Sequence, residues 1–259
     1  MHEIMDLLTT GDGNPLTRNI TIIPGWTAVD IAAYLKNEGI IENEELFLTL
    51  CRDGKNFSAY YYVQDVLSGG NAHQRLYVLE GYLSPNTYEI YSDATEDEII
   101  RKLLGQTEAV YPDSYHERAE ALGMTMDQVI TLASMIEKEA KTGDFARVSA
   151  VFHNRLGKNM TLGSDVTIKY ASGVKRMSLT NEDLNLNSPY NPYRYKGLPP
   201  GPICSFGSAA LKAALEPEQH TFLYFVATGK GREHKFSRTL SEHNRAVQEY
   251  RAAMRQKNR

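Results

Sequence analysis

Polar and apolar residues follow a helical period most regularly along residues 125–140, TMDQVITLASMIEKEA. Thr125, followed three residues later by Gln128, is a capping-box start, and no glycine or proline interrupts the stretch, so the pattern predicts a helix. At about 100° per residue, one face of this helix carries the apolar residues Met126, Val129, Ile130, Ala133, Ile136 and Ala140. Glu137 lies in the middle of that apolar face.

Glu137 is the residue of this helix that needs an explanation. A carboxylate on an apolar face costs free energy unless it is paired, protonated or used. One interpretation is a buried structural glutamate held by an arginine or by backbone N–H groups. The other is a proton donor kept neutral by apolar surroundings, as the acid of a glycosidase must be. The neighbouring Lys138 and Glu139 fall on other faces of the helix and are predicted to be solvated.

The first part of the chain predicts a mixture of strands and helices. Residues 1–16 indicate a helix end followed by a loop. A strand, two helices and a returning strand are predicted at residues 19–23, 27–35, 43–51 and 75–79. Three successive tyrosines, Tyr60, Tyr61 and Tyr62, cannot all face one side, so at least one is predicted to be exposed. Residues 79–90 are predicted to form a polar-aromatic loop with a turn at Pro85.

The rest of the chain is predicted to be mainly helical, which makes the fold class α+β with helices outnumbering strands. Further helices are predicted at residues 96–104, 112–122, 144–156, 164–170 and 207–215. A buried strand at residues 221–227 is predicted to pair with residues 234–237 across a glycine turn at 229–231. Thr239 and Glu242 form a capping box for a closing helix.

Residues 186–207 form the second informative stretch of the sequence. Five prolines and three tyrosines alternate there, so the backbone is predicted to be a long but ordered loop. A stiff loop that carries aromatic rings and amides suits a carbohydrate, because rings stack on sugar faces and amides bond hydroxyl groups. A rigid interdomain connector is the alternative.

Composition and motifs exclude several classes of protein. A formal net charge of -4 argues against a dedicated nucleic-acid binder, which would carry a basic excess. The two cysteines form neither a disulfide framework nor a metal-ligand spacing, and no two histidines are four residues apart on one helix, so no metal site and no cofactor are expected. Glycine-rich nucleotide loops, the zincin motif and the nucleophile elbow are absent from the sequence. No run of about 18 apolar residues occurs either.

Eight segments, in order, resemble one known family. They are LEGYLSPNTYEI (79–90), LASMIEKEA (132–140), VFHNRL (151–156), LGSDVTIKYA (162–171), SPYNPY (188–193), GLPPGPI (197–203), YFVATGKG (224–231) and HKFSRTLSEHN (234–244). The chain is therefore similar to the endolytic murein lytic transglycosylases, the MltG/YceG-like family, over roughly residues 19–250.

The resemblance implies a domain organisation and a set of site residues. It implies a truncated end of a preceding segment at residues 1–18, a small LysM-like domain at 19–80, and a mixed helix/sheet catalytic domain at 81–259. The catalytic acid of the family is the first glutamate of the EKE motif, here Glu137. Candidates for substrate binding are Asn154, Ser164, Asp165, Tyr170, Tyr190, Asn191, Tyr193 and Glu80. The sequence departs from the family pattern at Gly163, Val166, Pro192 and residues 205–207, which concerns subsite contacts rather than the acid.

The implied activity is cleavage of peptidoglycan glycan strands without water. Glycoside hydrolases usually need two carboxylates, whereas a lytic transglycosylase manages with one, because the C6 hydroxyl of the sugar is the nucleophile. Two alternatives stay open: a non-catalytic peptidoglycan-binding scaffold, and a muramidase that uses water with Glu80 as its second carboxylate. The resemblance further implies peptidoglycan synthases as partners, and an N-terminal membrane anchor, absent from this chain, that holds the full-length protein at the extracytoplasmic face of the bacterial cytoplasmic membrane.

Overall fold

The structure, a computed structural model, describes residues 16–140, 142–176, 178–228 and 234–257. The helix end and loop expected at the start of the chain lie outside these residues except for Leu16, and so does the expected glycine turn at 229–231. All counts and absences given below concern the described residues.

Helices outnumber strands, as the sequence predicts. The eleven α-helices in the described part of the chain are α1 (Ala28–Asn37), α2 (Glu44–Asp53), α3 (Tyr61–Ser68), α4 (Glu96–Ala109), α5 (Asp113–Ala121), α6 (Met126–Glu139), α7 (Phe145–Gly157), α8 (Asp165–Ser172), α9 (Asn181–Leu184), α10 (Ser208–Leu215) and α11 (Leu240–Lys257). The four strands in the same residues are β1 (Thr17–Ile22), β2 (Asn86–Tyr91), β3 (Tyr224–Ala227) and β4 (His234–Ser237). The mixed helix and sheet architecture agrees with the predicted α+β class.

The N-terminal sheet corrects one sequence prediction. β1 pairs antiparallel with β2, from Thr17 opposite Tyr91 to Ile22 opposite Asn86. The returning strand is therefore β2, and the prediction of a strand at residues 75–79 is wrong. The backbone N–H groups of Val78 and Leu79 instead donate to carbonyls at the end of α2. This pairing joins residues on both sides of position 80, where the resemblance places a domain boundary.

Helix α6 is the predicted helix of residues 125–140, and it runs through the core. Thr125 and Gln128 form the expected capping box. Every residue from Val129 to Ile136 is buried, so the predicted single apolar face is too narrow. The reason is tertiary: α5, α7, α8 and α10 all pack against α6 and cover its sides.

Residues 186–207 contain no helix or strand, as expected for the predicted loop, and residues 199–206 are buried. Pro202 packs directly on the backbone of Gly81, whose φ of +81° lies in the left-handed region. A Cβ added at Gly81 would lie 2.3 Å from the Cβ of Pro202, so only glycine fits there. Cys204 is buried in the same loop and its Sγ donates to the carbonyl of Ser134, at 3.4 Å; Cys51 is buried in α2.

The C-terminal strands form a hairpin as predicted, with Tyr224 opposite Ser237 and Ala227 opposite His234. The first strand is shorter than the predicted 221–227, and it is half-buried rather than buried. Among the tyrosines at 60–62, Tyr61 is exposed and Tyr62 is buried, which confirms that at least one faces solvent. No helix in the described residues is long and apolar enough to cross a membrane.

Candidate active site

Glu137 lies in the last turn of α6 and is half-buried. Its Oε2 accepts a hydrogen bond from the backbone N–H of Gly207, at 3.0 Å. Gly207 is the N-cap of α10, so the carboxyl group is held against the start of a second helix. This bond is the kind of contact expected if Glu137 is a structural glutamate held by a backbone N–H. Because the side chain is only half-buried, it can also act as a proton donor to a substrate.

The segment before Gly207 crosses the turn that follows β1. Gly25 donates its N–H to the carbonyl of Ser205, and Ser205 donates to the carbonyl of Trp26, both at 2.7 Å. Lys138, next to Glu137 on α6, donates from Nζ to the carbonyl of Gly25 at 3.0 Å. These bonds hold residues 24–26 and 205–207 together beside the end of α6.

A cavity of about 570 Å³ adjoins this crossing. Pro24 and Gly207 belong to its wall, and the Pro24 ring would lie 3.5 Å from a Cβ at Gly207. Its other walls mix aromatic and amide side chains, among them Asn86, Gln106, Tyr111, Tyr115 and Phe206. Such a lining suits a polar ligand with flat apolar faces, which is the surface that a sugar ring presents.

Glu139 is not the solvated residue that the sequence predicts. It is half-buried, and its Oε2 accepts a hydrogen bond from Ser164 Oγ at 3.0 Å. Burial raises the pKa of the Glu139 carboxyl; the bond from Ser164 opposes this rise and the negative charge of Asp165 adds to it. The prediction failed because the cover comes from α8, which is distant in sequence.

Ser164, Asp165 and Tyr193 are brought together on the Glu139 side of α6. Ser164 is the N-cap of α8 and is 1 % exposed. Tyr193 donates its hydroxyl to Asp165 Oδ1 at 2.7 Å, and 44 % of its surface is exposed. Burial of its hydroxyl end, together with the neighbouring Asp165, raises the pKa of Tyr193.

Asn154 holds two parts of the backbone together. Its Nδ2 donates to the carbonyls of His220, at 2.8 Å, and Phe222, at 3.0 Å, and so fixes the segment that leads into β3. The next residue, Arg155, donates to the carbonyls of Leu223 and Leu162, both at 2.5 Å. The predicted substrate contact of Asn154 thus competes with a structural role.

Tyr190 and Asn191 lie inside the long loop. Tyr190 is 1 % exposed, and its ring contacts that of Tyr170 at 5.3 Å between centroids. Asn191 is fully buried and donates to the carbonyls of Leu184 and Leu186, each at 2.9 Å. These side chains shape the loop from within.

Glu80 is 1 % exposed and lies at the start of α1. Both of its carboxyl oxygens accept from the backbone N–H of Ala28, at 3.1 and 3.2 Å. Burial raises the pKa of Glu80 to about 7, against the lowering effect of the Ala28 N–H and of the Tyr170 hydroxyl. Its hydrogen bonds are made to the backbone at the start of α1, and the side chain does not face an open cleft.

Sequence reasoning missed three residues of this region. The sequence assigns no site role to Gly207 or Glu139, although Glu139 belongs to the EKE motif and Gly207 lies shortly after GLPPGPI. His234 donates its backbone N–H to Asp144 Oδ2 at 3.2 Å, and its ring Nδ1 lies 2.9 Å from the same oxygen, so this histidine ties β4 to the start of α7. Among the described residues, no group of three or more His, Cys, Asp or Glu side chains could hold a metal ion.

The relatives found by comparison with known proteins agree with one another in name. The family model described as "YceG-like family" matches residues 1–249. The endolytic murein transglycosylase of Bacillus subtilis is 33 % identical over 259 residues, which covers 96 % of this chain and 69 % of that protein. The endolytic murein transglycosylase of Streptococcus pneumoniae strain D39 is 34 % identical over 180 residues, covering 67 % of this chain and 32 % of that protein. A crystal structure of a yceG-like protein from Listeria monocytogenes superposes with a TM-score of 0.80 at 33 % identity, over 94 % of this chain and 80 % of that one.

Proposed function

This chain belongs to the YceG-like family, and we propose that it is a lytic transglycosylase that cuts the glycan strands of peptidoglycan internally. The bond cleaved is the β-1,4 bond from N-acetylmuramic acid to N-acetylglucosamine, and the product carries a 1,6-anhydro-muramyl end. Relatives named endolytic murein transglycosylase support the class of reaction. Cleavage of this kind would terminate or release nascent strands.

The observation that carries this proposal is the setting of Glu137. Its carboxyl group is half-buried and is bonded through one oxygen to Gly207, which lines a cavity of about 570 Å³. The glycan strand is proposed to lie along this cavity wall. Because Oε2 is engaged by the Gly207 N–H, we assign the proton transfers to Oε1.

One carboxyl group is sufficient for the reaction. Protonated Glu137 donates to the glycosidic oxygen, and the bond from that oxygen to the muramyl C1 breaks. The muramyl C6 oxygen attacks C1, and its proton passes to the Glu137 carboxylate, which restores the acid. The same group thus acts first as acid and then as base, and intramolecular attack removes the entropy cost of bringing in a second reactant.

The other candidate residues are of two kinds: some are exposed and can contact a sugar, and some bond or pack within the protein. The exposed ring of Tyr193, oriented by Asp165, is proposed to contact a sugar face. Six other candidates are proposed to support the substrate-binding surface without contacting the substrate, since their side chains bond or pack within the protein. They are Ser164, Asn154, Tyr170, Tyr190, Asn191 and Glu80.

We further propose that β1, α1, α2 and β2 form the LysM-like unit. A strand, two helices and a returning strand are the elements that the sequence pattern predicts here. The pairing of Thr17 with Tyr91 supports closing the unit at β2 rather than at residue 80. The catalytic domain then follows from about α4. The resemblance also supports an extracytoplasmic, membrane-anchored location for the full-length protein, and peptidoglycan synthases as partners.

The test is digestion of purified, uncrosslinked glycan strands by the wild-type chain and by Glu137→Gln, with products identified by mass spectrometry. We expect anhydro-muramyl ends from the wild type, and a rate at least about 10²-fold lower from the variant, because the proton donor is lost. Glu120→Gln, an exposed glutamate on α5, is the matched control and should retain full activity.

Other products would replace the proposal. Reducing ends, heavier by one water, would identify a hydrolytic muramidase. Binding of strands without cleavage would identify a peptidoglycan-binding scaffold.

A further inference from the structure

Three consecutive residues at the end of α6 bond three different segments of the chain: Glu137 bonds Gly207, Lys138 bonds Gly25, and Glu139 bonds Ser164. The first two partners belong to the crossing of residues 24–26 and 205–207. The third begins α8, on another side of the helix. The last turn of α6 therefore holds both this crossing and the start of α8 in place.

Glu139 connects the catalytic turn to the exposed Tyr193 ring through a short path. Ser164 is the N-cap of α8, but its hydroxyl donates to Glu139 instead of accepting from its own helix. The next residue, Asp165, accepts the hydroxyl of Tyr193. Gly163 on the other side of Ser164 donates its N–H to the carbonyl of Pro192, at 3.1 Å. These two bonds tie the start of α8 to residues 192–193.

We infer that Glu139 is a positioning residue for the reaction proposed above, which fixes the start of α8 and the Asp165–Tyr193 pair relative to the carboxyl group of Glu137. The inference rests on that proposed function. Glu137 and Glu139 are two residues apart on one helix, about 3 Å along its axis and about 200° around it. Glu139 therefore faces the α8 side, away from Glu137, and acts through Ser164 rather than on the reacting atoms.

The geometry predicts which chemical property of Glu139 matters. A positioning role needs an acceptor oxygen for the Ser164 hydroxyl, and a glutamine at this position still supplies one. An alanine supplies none. A role in proton transfer would instead need the ionisable carboxyl group, and glutamine would not replace it.

Kinetic measurements on uncrosslinked glycan strands test this inference with Glu139→Ala, Glu139→Gln, Ser164→Ala and the Glu139→Ala/Ser164→Ala double variant. We expect kcat to fall about tenfold or more in each alanine variant, since small misplacements of substrate are costly, while KM changes less than about threefold. Glu139→Gln should stay within about threefold of wild-type kcat. The double variant should be no slower than either single variant, because both remove the same bond.

Hydrogen–deuterium exchange supplies a readout that does not depend on activity. Amides of residues 163–172 should exchange faster in Glu139→Ala and Ser164→Ala than in the wild type, and at the wild-type rate in Glu139→Gln. Glu120→Gln, exposed on α5, controls for the loss of one negative charge.

Several results would overturn the inference. Glu139→Gln as slow as Glu139→Ala would mean that the ionisable group itself is needed. Multiplying losses in the double variant, or unchanged exchange at residues 163–172, would show that the bond to Ser164 does not carry the effect. Failure of the proposed function is distinguishable, because a wild-type chain that makes no anhydro ends fails the product assay while the exchange experiment still reports on α8.

Discussion

Glu80 and Glu137 lie in different regions of the molecule and make the same kind of hydrogen bond, but we assign them different roles. Each carboxyl group accepts a backbone N–H, from Ala28 in one case and from Gly207 in the other. Glu80 is 1 % exposed and both of its oxygens accept from the start of α1, whereas Glu137 is half-buried and bonded to Gly207, which lines a cavity. Access to the carboxyl group, more than the way it is held, separates a structural glutamate from one that can meet a substrate.

The comparison also concerns electrostatics. Burial raises the pKa of Glu80 to about 7, and burial raises that of Glu139 as well. Neither residue is the one that we propose as the acid. Perturbed carboxyl groups mark functional sites only statistically, and these two accept hydrogen bonds from within the protein.

The largest expected difference between the two regions concerns their glycines. In Gly81→Ala, the new Cβ would lie 2.3 Å from Pro202 in a left-handed backbone conformation, so we expect a loss of about 3 kcal/mol in the free energy of unfolding. Gly207 has φ of -82°, and a Cβ there would lie 3.5 Å from Pro24, so Gly207→Ala should change stability by less than about 0.5 kcal/mol. Urea denaturation measures both, and equal losses would contradict the comparison.

Removing the two carboxyl groups should separate stability from activity. Glu80→Ala leaves the buried N–H of Ala28 without its acceptor, so unfolding free energy should fall by about 2 kcal/mol. Glu137→Ala, at a half-buried position, should cost less than about 1 kcal/mol yet abolish cleavage. Thermal unfolding at pH 5.5, where Glu80 is mainly protonated, measures the two stability losses. The product assay measures the loss of cleavage. A Glu137→Ala chain that unfolds more readily than Glu80→Ala would favour the structural interpretation of Glu137.

The pH dependence of stability should come from Glu80. Its pKa rises from 4.5 to about 7 on folding, so the folded state binds the proton more tightly than the unfolded state. The stabilising contribution is complete below pH 4.5 and is lost as the pH rises through about 7. We expect the unfolding free energy to fall by about 2 kcal/mol from this group between pH 5 and 8. In Glu80→Gln this part of the slope should disappear, and an unchanged slope in urea titrations would assign it elsewhere.

Lys138 should give the smallest effect. Lys138→Met removes the bond from Nζ to the carbonyl of Gly25 at an exposed position, so stability should change by less than about 0.5 kcal/mol. We expect kcat to fall by no more than about threefold, because Gly25 keeps its hydrogen bond to Ser205. A loss as large as that of Glu139→Ala would show that the 24–26 turn depends mainly on Lys138.

Local signals in the sequence predicted most of the helices. The capping boxes at Thr125 and Thr239 both start the helices that they indicate. Each of these signals lies within four residues of chain, and no distant partner is needed to interpret it. The sequence predicts a loop at residues 79–90, but Asn86–Tyr91 form β2; their partner β1 lies far away in sequence, and Pro85 favours a turn.

The candidate site divides in the same way. The position of Glu137 on an apolar helical face could be inferred from spacing alone. Its bond to Gly207 joins residues 70 positions apart, and the burial of Glu139 depends on α8, so neither could be derived from periodicity. Asn191 was selected for its amide in a stiff loop, but that amide is satisfied by carbonyls of Leu184 and Leu186, which only the folded loop reveals.

The two buried thiols can report on local opening of the structure. Cys51 lies in α2 and Cys204 in the long loop beside α6, and burial raises the pKa of both thiols well above the usual value. A thiol reagent can label either one only when the surrounding segment opens. The sequence contains no other cysteine. Two labelling rates are therefore expected, and Cys51→Ser and Cys204→Ser would assign each rate to one thiol. The rates would then report separately on the opening of the segment around α2 and of the long loop.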